Sequence, residues 1–442
     1  MEEIVTLVKT AGVVGAGGAG FPTHVKLAPA EIIVVNGAEC EPLLRVDQQL
    51  MAQETAAVVA GLEAVMTATG ARESRIALKK KYKDAIAALE QAIAGKPIKI
   101  VILDDFYPAG DEHVTVFAAT GRLVPQGNLP LEVGCVVVNV ETLVNIAAAL
   151  KGKPVTHTYL TVTGDVERPV TLRLPIGTSV RSVLTAAGCP DISGKAVIEG
   201  GPMMGKIVAD PDQPITKTTK GLIVLPLNHP LIARRLMPVD KMLKQAKTAC
   251  VQCRFCTDLC PRFLLGHSLQ PHKIMQAVRQ IDGQAEGIRM ALTCSECGVC
   301  EQYACLMQLS PRSVNAALKQ ALAKQGIKPN QPPENQHQHI MFQHRQIPVK
   351  RLIARLGLGP YDRPAPLTAV EPYIEQVAIK LRQHVGAPAQ PMVQVGQRVV
   401  QGQLIASMPD GALGSNLHAS ISGIVREISD TIIISDSEGS EA

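Results

Sequence analysis

The residues best able to do chemistry are cysteines. Eight of the eleven fall between positions 250 and 305, leaving Cys40, Cys135 and Cys189 scattered. The first group, "CVQCRFCTDLCP", places Cys250, Cys253, Cys256 and Cys260 before Pro261, the spacing C-x2-C-x2-C-x3-C-P. Three thiolates so spaced wrap three corners of an iron–sulfur cubane, and the fourth cysteine of such a run reaches a second cluster. The second group, "CSECGVCEQYAC", supplies Cys294, Cys297, Cys300 and Cys305. Its last gap is one residue longer, and Leu306 stands where proline is usual. The spacing predicts two [4Fe–4S] clusters, one on Cys250, Cys253, Cys256 and Cys305, the other on Cys294, Cys297, Cys300 and Cys260. Such a pair is a one-electron wire. Structural zinc sites built from C-x2-C pairs need four ligands each. They would leave the third cysteine of each group, and the proline after Cys260, unexplained.

The glycines of "GVVGAGGAGFPTHVKL" (12–27) offer a second chemistry. Gly15, Gly17 and Gly20 spell G-x-G-x-x-G. A dinucleotide turn needs a strand before it, a full helix after it and a second strand with an acidic end. Here "EEIVTLVKTAG" has apolar residues at 4, 5, 7 and 8, a helical spacing. Pro22 and Pro29 leave room for two helical turns at most before the next strand. The context therefore argues against a dinucleotide turn. Five glycines in nine residues instead suit a phosphate cradle, in which bare backbone N–H groups close on oxygens and Lys26 supplies a cation. A plain flexible turn is the blander alternative.

These residues need elements to hold them. Residues 1–150 alternate strand patterns (31–36, 75–80, 98–103, 133–139) with helical ones (50–69, 82–95 and "ETLVNIAAAL"), which predicts a mostly parallel α/β domain. Residues 155–215 read as a period-two hairpin followed by a short helix. Residues 240–325 are helical segments around the cysteines. The Gln/Pro/His-rich stretch 328–348 reads as a solvated linker, with His337, His339 and His344 at most adventitious metal ligands. From 349 to 435 short β runs punctuated by glycine predict an all-β module.

Composition excludes several classes. The chain is 46% hydrophobic and 19% charged with net charge +5, and it has no Lys/Arg block. With 3% aromatics and no tryptophan, neither a nucleic-acid footprint nor a base-stacking platform is expected. No apolar run is long enough to span a membrane, and the acidic N-terminus does not resemble a secretory signal. Cysteines so spaced without an export signal point to metal binding in a reducing, cytoplasmic compartment.

At these motifs the chain resembles known families. "GAGGAGFPTHVK" is similar to the flavin/NADH loop of the 51-kDa-type subunit of respiratory complex I. "NVETL" (139–143) matches that subunit's second flavin-side motif, except that Val138 replaces a usual Asn. "VVNGAECEPLLRVD" (34–47) and "GGPMMG" (200–205) resemble the C subunit of Rnf electron-transport complexes. The 155–215 module resembles a soluble-ligand-binding β-grasp (SLBB) domain. The tail resembles a lipoyl-type barrel-sandwich hybrid, which in Rnf C subunits normally precedes the flavin domain. Over nearly the whole chain the combination resembles the cobalamin reductases of bacterial propanediol utilization (the PduS type). Two motifs depart from carriers. "NLHASISG" (416–423) lacks the lysine of a lipoyl or biotin carrier, so the tail should be structural or docking only. "DEHVTV" (111–116) has Val116 where a base-off cobalamin loop requires glycine, which leaves His113 an ordinary surface histidine.

The resemblance implies a multidomain α/β protein with a Rossmann-like flavin domain, a β-grasp module, a helical two-cluster ferredoxin-type segment and a barrel-sandwich hybrid. It implies non-covalent FMN in residues 12–45, with NADH as donor and cobalamin as a visiting substrate. Gly15, Gly17, Gly18 and Gly20 would form the phosphate loop with Lys26 nearby. Asn36, Glu39 and Glu41 would face the flavin or the nicotinamide ribose, and Asn139, Glu141 and Thr142 would close the opposite side. Plainer roles are a solvated loop pair for Glu39 and Glu41 and a helix cap for Asn139. No residue is singled out as a catalytic acid, base or nucleophile. A corrinoid adenosyltransferase and microcompartment shell proteins are the implied partners, and a bacterial microcompartment the implied location. Two rivals stay open: a soluble Rnf-like subunit exchanging electrons between NADH and a ferredoxin, and a non-enzymatic electron conductor of a microcompartment.

Overall fold

The computed structural model describes residues 2–278 and 286–436. Its first domain is a parallel sheet with strand order Ile98–Leu103, Glu73–Lys79, Ile32–Gly37, Cys135–Asn139. Strands Ile32–Gly37 and Cys135–Asn139 are near-continuous apolar runs because both faces of the sheet are covered there. On one face Ile33, Val35, Ile76, Leu78 and Val138 pack under helices Glu2–Thr10, Thr55–Thr69, Lys83–Ala92 and Val140–Ala149. On the other face Ile32, Val34, Ala77 and Val137 meet helix Glu112–Thr120 together with Leu264, Leu265 and Phe342 from later in the chain. The apolar pattern at 50–69 belongs to two helices, Val46–Gln53 and Thr55–Thr69. At the break Thr55 donates its hydroxyl to the Met51 carbonyl, a local bond that competes with helix continuation.

The second module is a five-stranded sheet. Strand Gly221–Pro226 is central, parallel to His157–Gly164 and antiparallel to Lys195–Glu199, so the sheet continues beyond residue 215. Helix Val180–Ala186, capped by Ser179, packs on it through Val180, Val183 and Leu184. The tail folds as two small sheets around Val377, Ile405, Val425 and Ile434.

The cysteine segment is a set of short helices. Three of them, Pro261–Leu264, Pro271–Ala277 and Pro311–Lys324, start on proline, where its missing N–H costs nothing. The polar stretch that follows is pinned to the flavin domain. Gln336 donates to the carbonyls of Val124 and Leu265, Phe342 packs edge-on against Phe117, and Ile347–Pro348 pairs with Phe106–Tyr107. Its composition hid these anchors, because side-chain amides satisfying backbone groups look like solvated polarity in a sequence. Among the described residues no helix is long and apolar enough to cross a membrane.

Candidate redox site

The fold sorts the eight cysteines into two sets. Cys250, Cys253, Cys256 and Cys305 line one small cavity with His272, Met275 and Pro311. Cys260, Cys294, Cys297 and Cys300 neighbour one another, and Cys256 faces both Cys260 and Cys300 across the gap between the sets. The turns between thiols carry left-handed backbone at Gln252, Arg254, Glu296, Gly298 and Gln308. Non-glycine residues adopt that conformation only at a cost, and here it turns donors toward sulfur. The N–H groups of Glu296 and Leu309 point at the Sγ atoms of Cys294 and Cys305 (3.4 and 3.3 Å), and the Gln252 amide points at Cys250 Sγ (3.2 Å). Burial pushes the Cys256 and Cys260 thiols up to about 12, so ligation must displace their protons. Among the described residues no three His, Cys, Asp or Glu side chains form a group able to hold a single metal ion. Four thiols spread around a cavity, with N–H donors aimed at sulfur, suit a cubane whose corners each take one thiolate.

The glycine loop sits at the carboxyl end of strand Cys135–Asn139, the end of an α/β sheet at which ligands bind. Its stem is fixed by a Val14–Pro22 bridge and by Gly15 N–H to the Phe21 carbonyl (2.9 Å). Ala16 N–H donates to Thr142 Oγ1 (3.0 Å), which ties the loop to the second flavin-side motif. A Cβ on Gly17 would lie 2.8 Å from the Asn139 amide, whereas one on Gly18 would meet no atom within 4 Å. Gly17, Gly18 and Ala19 are exposed. The loop thus packs on Asn139 along one edge and opens at Gly18 along the other. Bare backbone at an open lip of this kind leaves room for a flavin phosphate to approach its N–H groups.

The charged side chains expected around that cradle have other partners. Lys26 pairs with Glu112 at 3.0 Å. Asn36 donates to the Gly110 carbonyl and accepts from Ala38 N–H. The Glu39 carboxylate accepts the N–H groups of Asp47 and Gln48 and so caps helix Val46–Gln53. Glu41 reaches into the β-grasp module and accepts from Met203 and Met204 N–H, both at 2.9 Å. Desolvation raises that carboxyl to about 7, opposed by these two N–H groups and Arg235. Glu141 binds Lys220, Thr158 and Tyr159 N–H of the same module. Asn139 does cap helix Val140–Ala149, accepting from Glu141 N–H, and its amide donates to Asp47.

Three residues here escaped sequence reasoning. Asp47 is buried beside Asn139 with its Oδ1 unpartnered, and burial, then the Glu39 charge, holds it well above the carboxylate range. It closes the "VVNGAECEPLLRVD" motif, which was its only signal. Lys217 is 3% exposed and donates to the Gly12 carbonyl (2.6 Å) and the Asn416 carbonyl (2.8 Å), joining flavin loop, β-grasp module and tail. A lysine gives no sequence hint of burial. Tyr107 donates to the Cys297 carbonyl. His113 is 6% exposed, not a surface residue. Asp111 caps its helix, and its ring packs on His267 (5.3 Å). In the stretch "NLHASISG" Leu417, His418, Ala419 and Ser420 are likewise buried, with His418 packed beside Lys217.

Comparisons with known proteins find similarity along most of the chain. Family models match for the Nuo51 FMN-binding domain (residues 8–148), the SLBB domain (159–206), the 4Fe-4S dicluster domain (249–310) and the RnfC barrel sandwich hybrid domain (365–441). The chain is 51% identical over 435 residues to a cobalamin reductase PduS of Salmonella typhimurium, covering 98% of this chain and 96% of that protein. It is 50% identical to a cobalamin reductase PduS of Citrobacter freundii, covering 96% and 94%. The C subunit of a Na(+)-translocating ferredoxin:NAD(+) oxidoreductase complex of Acetobacterium woodii is 38% identical over 268 residues, covering 59% and 58%. Among solved structures, an NAD+-reducing [NiFe]-hydrogenase shares the fold with a TM-score of 0.50 at 24% identity, over 74% of this chain and 63% of its own. The protein is a multidomain flavin and iron–sulfur electron-transfer oxidoreductase.

Proposed function

This chain belongs to the PduS family of cobalamin reductases, and on that footing we propose that it passes electrons from NADH, through FMN and two [4Fe–4S] clusters, to cobalamin. When bound, the flavin converts a two-electron donor to single-electron transfer and the clusters conduct those electrons. The observation that carries the reading is the direct seating of the second cysteine set on the flavin domain. Tyr107 holds the Cys297 carbonyl, and the Met203–Met204 backbone bound by Glu41 lies against Gly298. The order flavin, then the Cys297 set, then the Cys253 set follows, because Cys253 is the exposed thiol of the eight.

The chain's own residues do the positioning. Gly17 and Gly18 form the phosphate lip, Asn139 and Thr142 fix it from beneath, and Asp47 offers its free oxygen beside them. Glu39, Glu41, Glu141 and Lys26 brace the walls rather than reach the cofactor. The corrin substrate, a corrinoid adenosyltransferase partner and residence in a propanediol microcompartment with its shell proteins rest on family likeness. The test is anaerobic purification with flavin, iron and sulfide analysis, then NADH with cob(II)alamin or with a ferredoxin. About eight iron and eight sulfide per chain, and corrin reduced in preference to ferredoxin, are expected. Zinc without sulfide would sink the cluster assignment, and preference for ferredoxin would favour the Rnf-like alternative.

A further inference from the structure

Exposed apolar side chains gather around the first cysteine set. Val251 (63% exposed), Phe255 (44%), Leu306 (62%) and Met307 (46%) ring the exposed Cys253. All four belong to the segments that carry its thiols. Alone such residues are unremarkable, but a contiguous patch over a redox centre marks an interaction site. Beside it lies an open groove of about 460 Å³, walled by Phe255, Leu259, Tyr303 and Leu306 and lined by Arg351 and Arg355. No carboxylate lines this groove, and neither arginine forms an ion pair among the described residues. Both arginines project from the short helix Val349–Arg355, whose Val349, Leu352 and Ile353 are buried, so the pair is held on a fixed base.

We propose that this face docks an acidic electron-carrier protein, with Arg351 and Arg355 meeting its carboxylates while Phe255 and Leu306 exclude water between its redox group and the Cys253 set. The proposal rests on the electron-transfer reading above and adds a protein partner at the exposed end of the wire. The carrier is oxidised by one electron as the Cys253 set is reduced, an entry beside NADH, and the corrin remains the acceptor. Charge complementarity selects the occupant. A neutral or basic partner would leave two cations facing no counter-charge, whereas an acidic one is steered in by them. A small apolar centre with a charged rim also suits the brief encounters of redox proteins, which bury little area.

The test uses the full chain loaded with flavin and clusters, and a plant-type [2Fe–2S] ferredoxin as the acidic probe. Its potential of about −400 mV makes it a donor, so the reduced probe is mixed with oxidised protein and its reoxidation followed by stopped flow. The second-order rate constant of the native protein should fall at least tenfold between about 20 and 300 mM salt. Arg351→Glu with Arg355→Glu should lower it at least tenfold at low salt and flatten the salt dependence. Arg351→Gln with Arg355→Gln, which keeps the bulk without the charge, should fall between. Equal rates in native and charge-reversed protein, no salt dependence, or no ferredoxin oxidation at all would overturn the proposal. NADH-driven flavin bleaching, recorded on the same samples, should be unchanged in both variants. Its failure in native protein would overturn the electron-transfer reading instead, because the ferredoxin rate does not depend on NADH.

Discussion

Tyr107 donates its hydroxyl hydrogen to the backbone carbonyl of Cys297 across 2.6 Å, joining residues 190 positions apart. Tyr107 is 1% exposed and Cys297 belongs to the second thiol set. The bond is a direct polar link between the flavin domain and that set.

Tyr107→Phe keeps the ring and leaves a buried carbonyl unpaired. The loss should cost about 1–3 kcal/mol, read by denaturant unfolding of the loaded protein. The electron paramagnetic resonance signal of the Cys297 cluster should change while that of the Cys253 cluster does not. Identical spectra and stability would mean the bond is incidental.

Gly17 and Gly18 should respond in opposite ways. Gly17→Ala puts a methyl 2.8 Å from the Asn139 amide, so the loop must shift even without ligand. A Cβ on Gly18 meets no protein atom within 4 Å, so Gly18→Val should be accommodated by the protein itself. It should melt within about 0.5 kcal/mol of native when flavin-free, yet retain no FMN, since the methyls occupy the open side of the cradle. Flavin titration with each purified variant checks this, and full retention by Gly18→Val would misplace the phosphate.

The chemistry of the clusters was legible in the sequence because iron–sulfur ligation is written in local spacing. The strands and helices of the flavin domain were legible from apolar periodicity, and the Asn139 cap from its place before a helix. What sequence could not show were the destinations of long charged side chains. Glu41 finds its donors at Met203 and Met204, and Lys26 finds Glu112. Such pairings depend on how modules dock. A carboxylate in a glycine-rich loop next to a flavin motif reads as a ligand until its partner is known. Lys217 was illegible for a different reason, since burial of a lysine whose partners are carbonyls rather than a carboxylate runs against compositional expectation.

Lys217 sets a pH signature. Burial depresses its amine to about 7 from an ordinary value of 10.5. Between those values the unfolded chain binds a proton that the folded protein does not, so stability rises with pH through this window. Below about pH 7 the folded protein carries the full cost of a buried charge, on the order of 5 kcal/mol. His384 and His418 beside it are held near 4 by burial first and by Lys217 second, so they stay neutral throughout. Lys217→Met should remove the rise between pH 7 and 10 in thermal melts. A variant that still shows it would place the titrating group elsewhere.

Glu41 should act with the opposite slope. Its folded pKa near 7 exceeds the ordinary 4.5, so the unfolded chain gives up its proton first. Stability is fully present below about pH 4.5 and declines as pH rises through 7. Glu41→Gln keeps an acceptor for the loop and should flatten this decline in unfolding measured from pH 5 to 8. An unchanged slope would show that the carboxyl titrates normally.

The central claim is that the clusters are the wire between the NADH-reduced flavin and the corrin. Stopped-flow absorbance of flavin and corrin together, in native and Cys297→Ala protein, tests it most directly. Hydride transfer needs only nicotinamide and flavin in contact, so flavin bleaching by NADH should be equal in both. Corrin reduction should be strongly slowed in the variant, most sharply at the harder Co(II) to Co(I) step. Equal corrin rates in the two proteins would contradict the account, because the flavin would then reach cobalamin without the clusters.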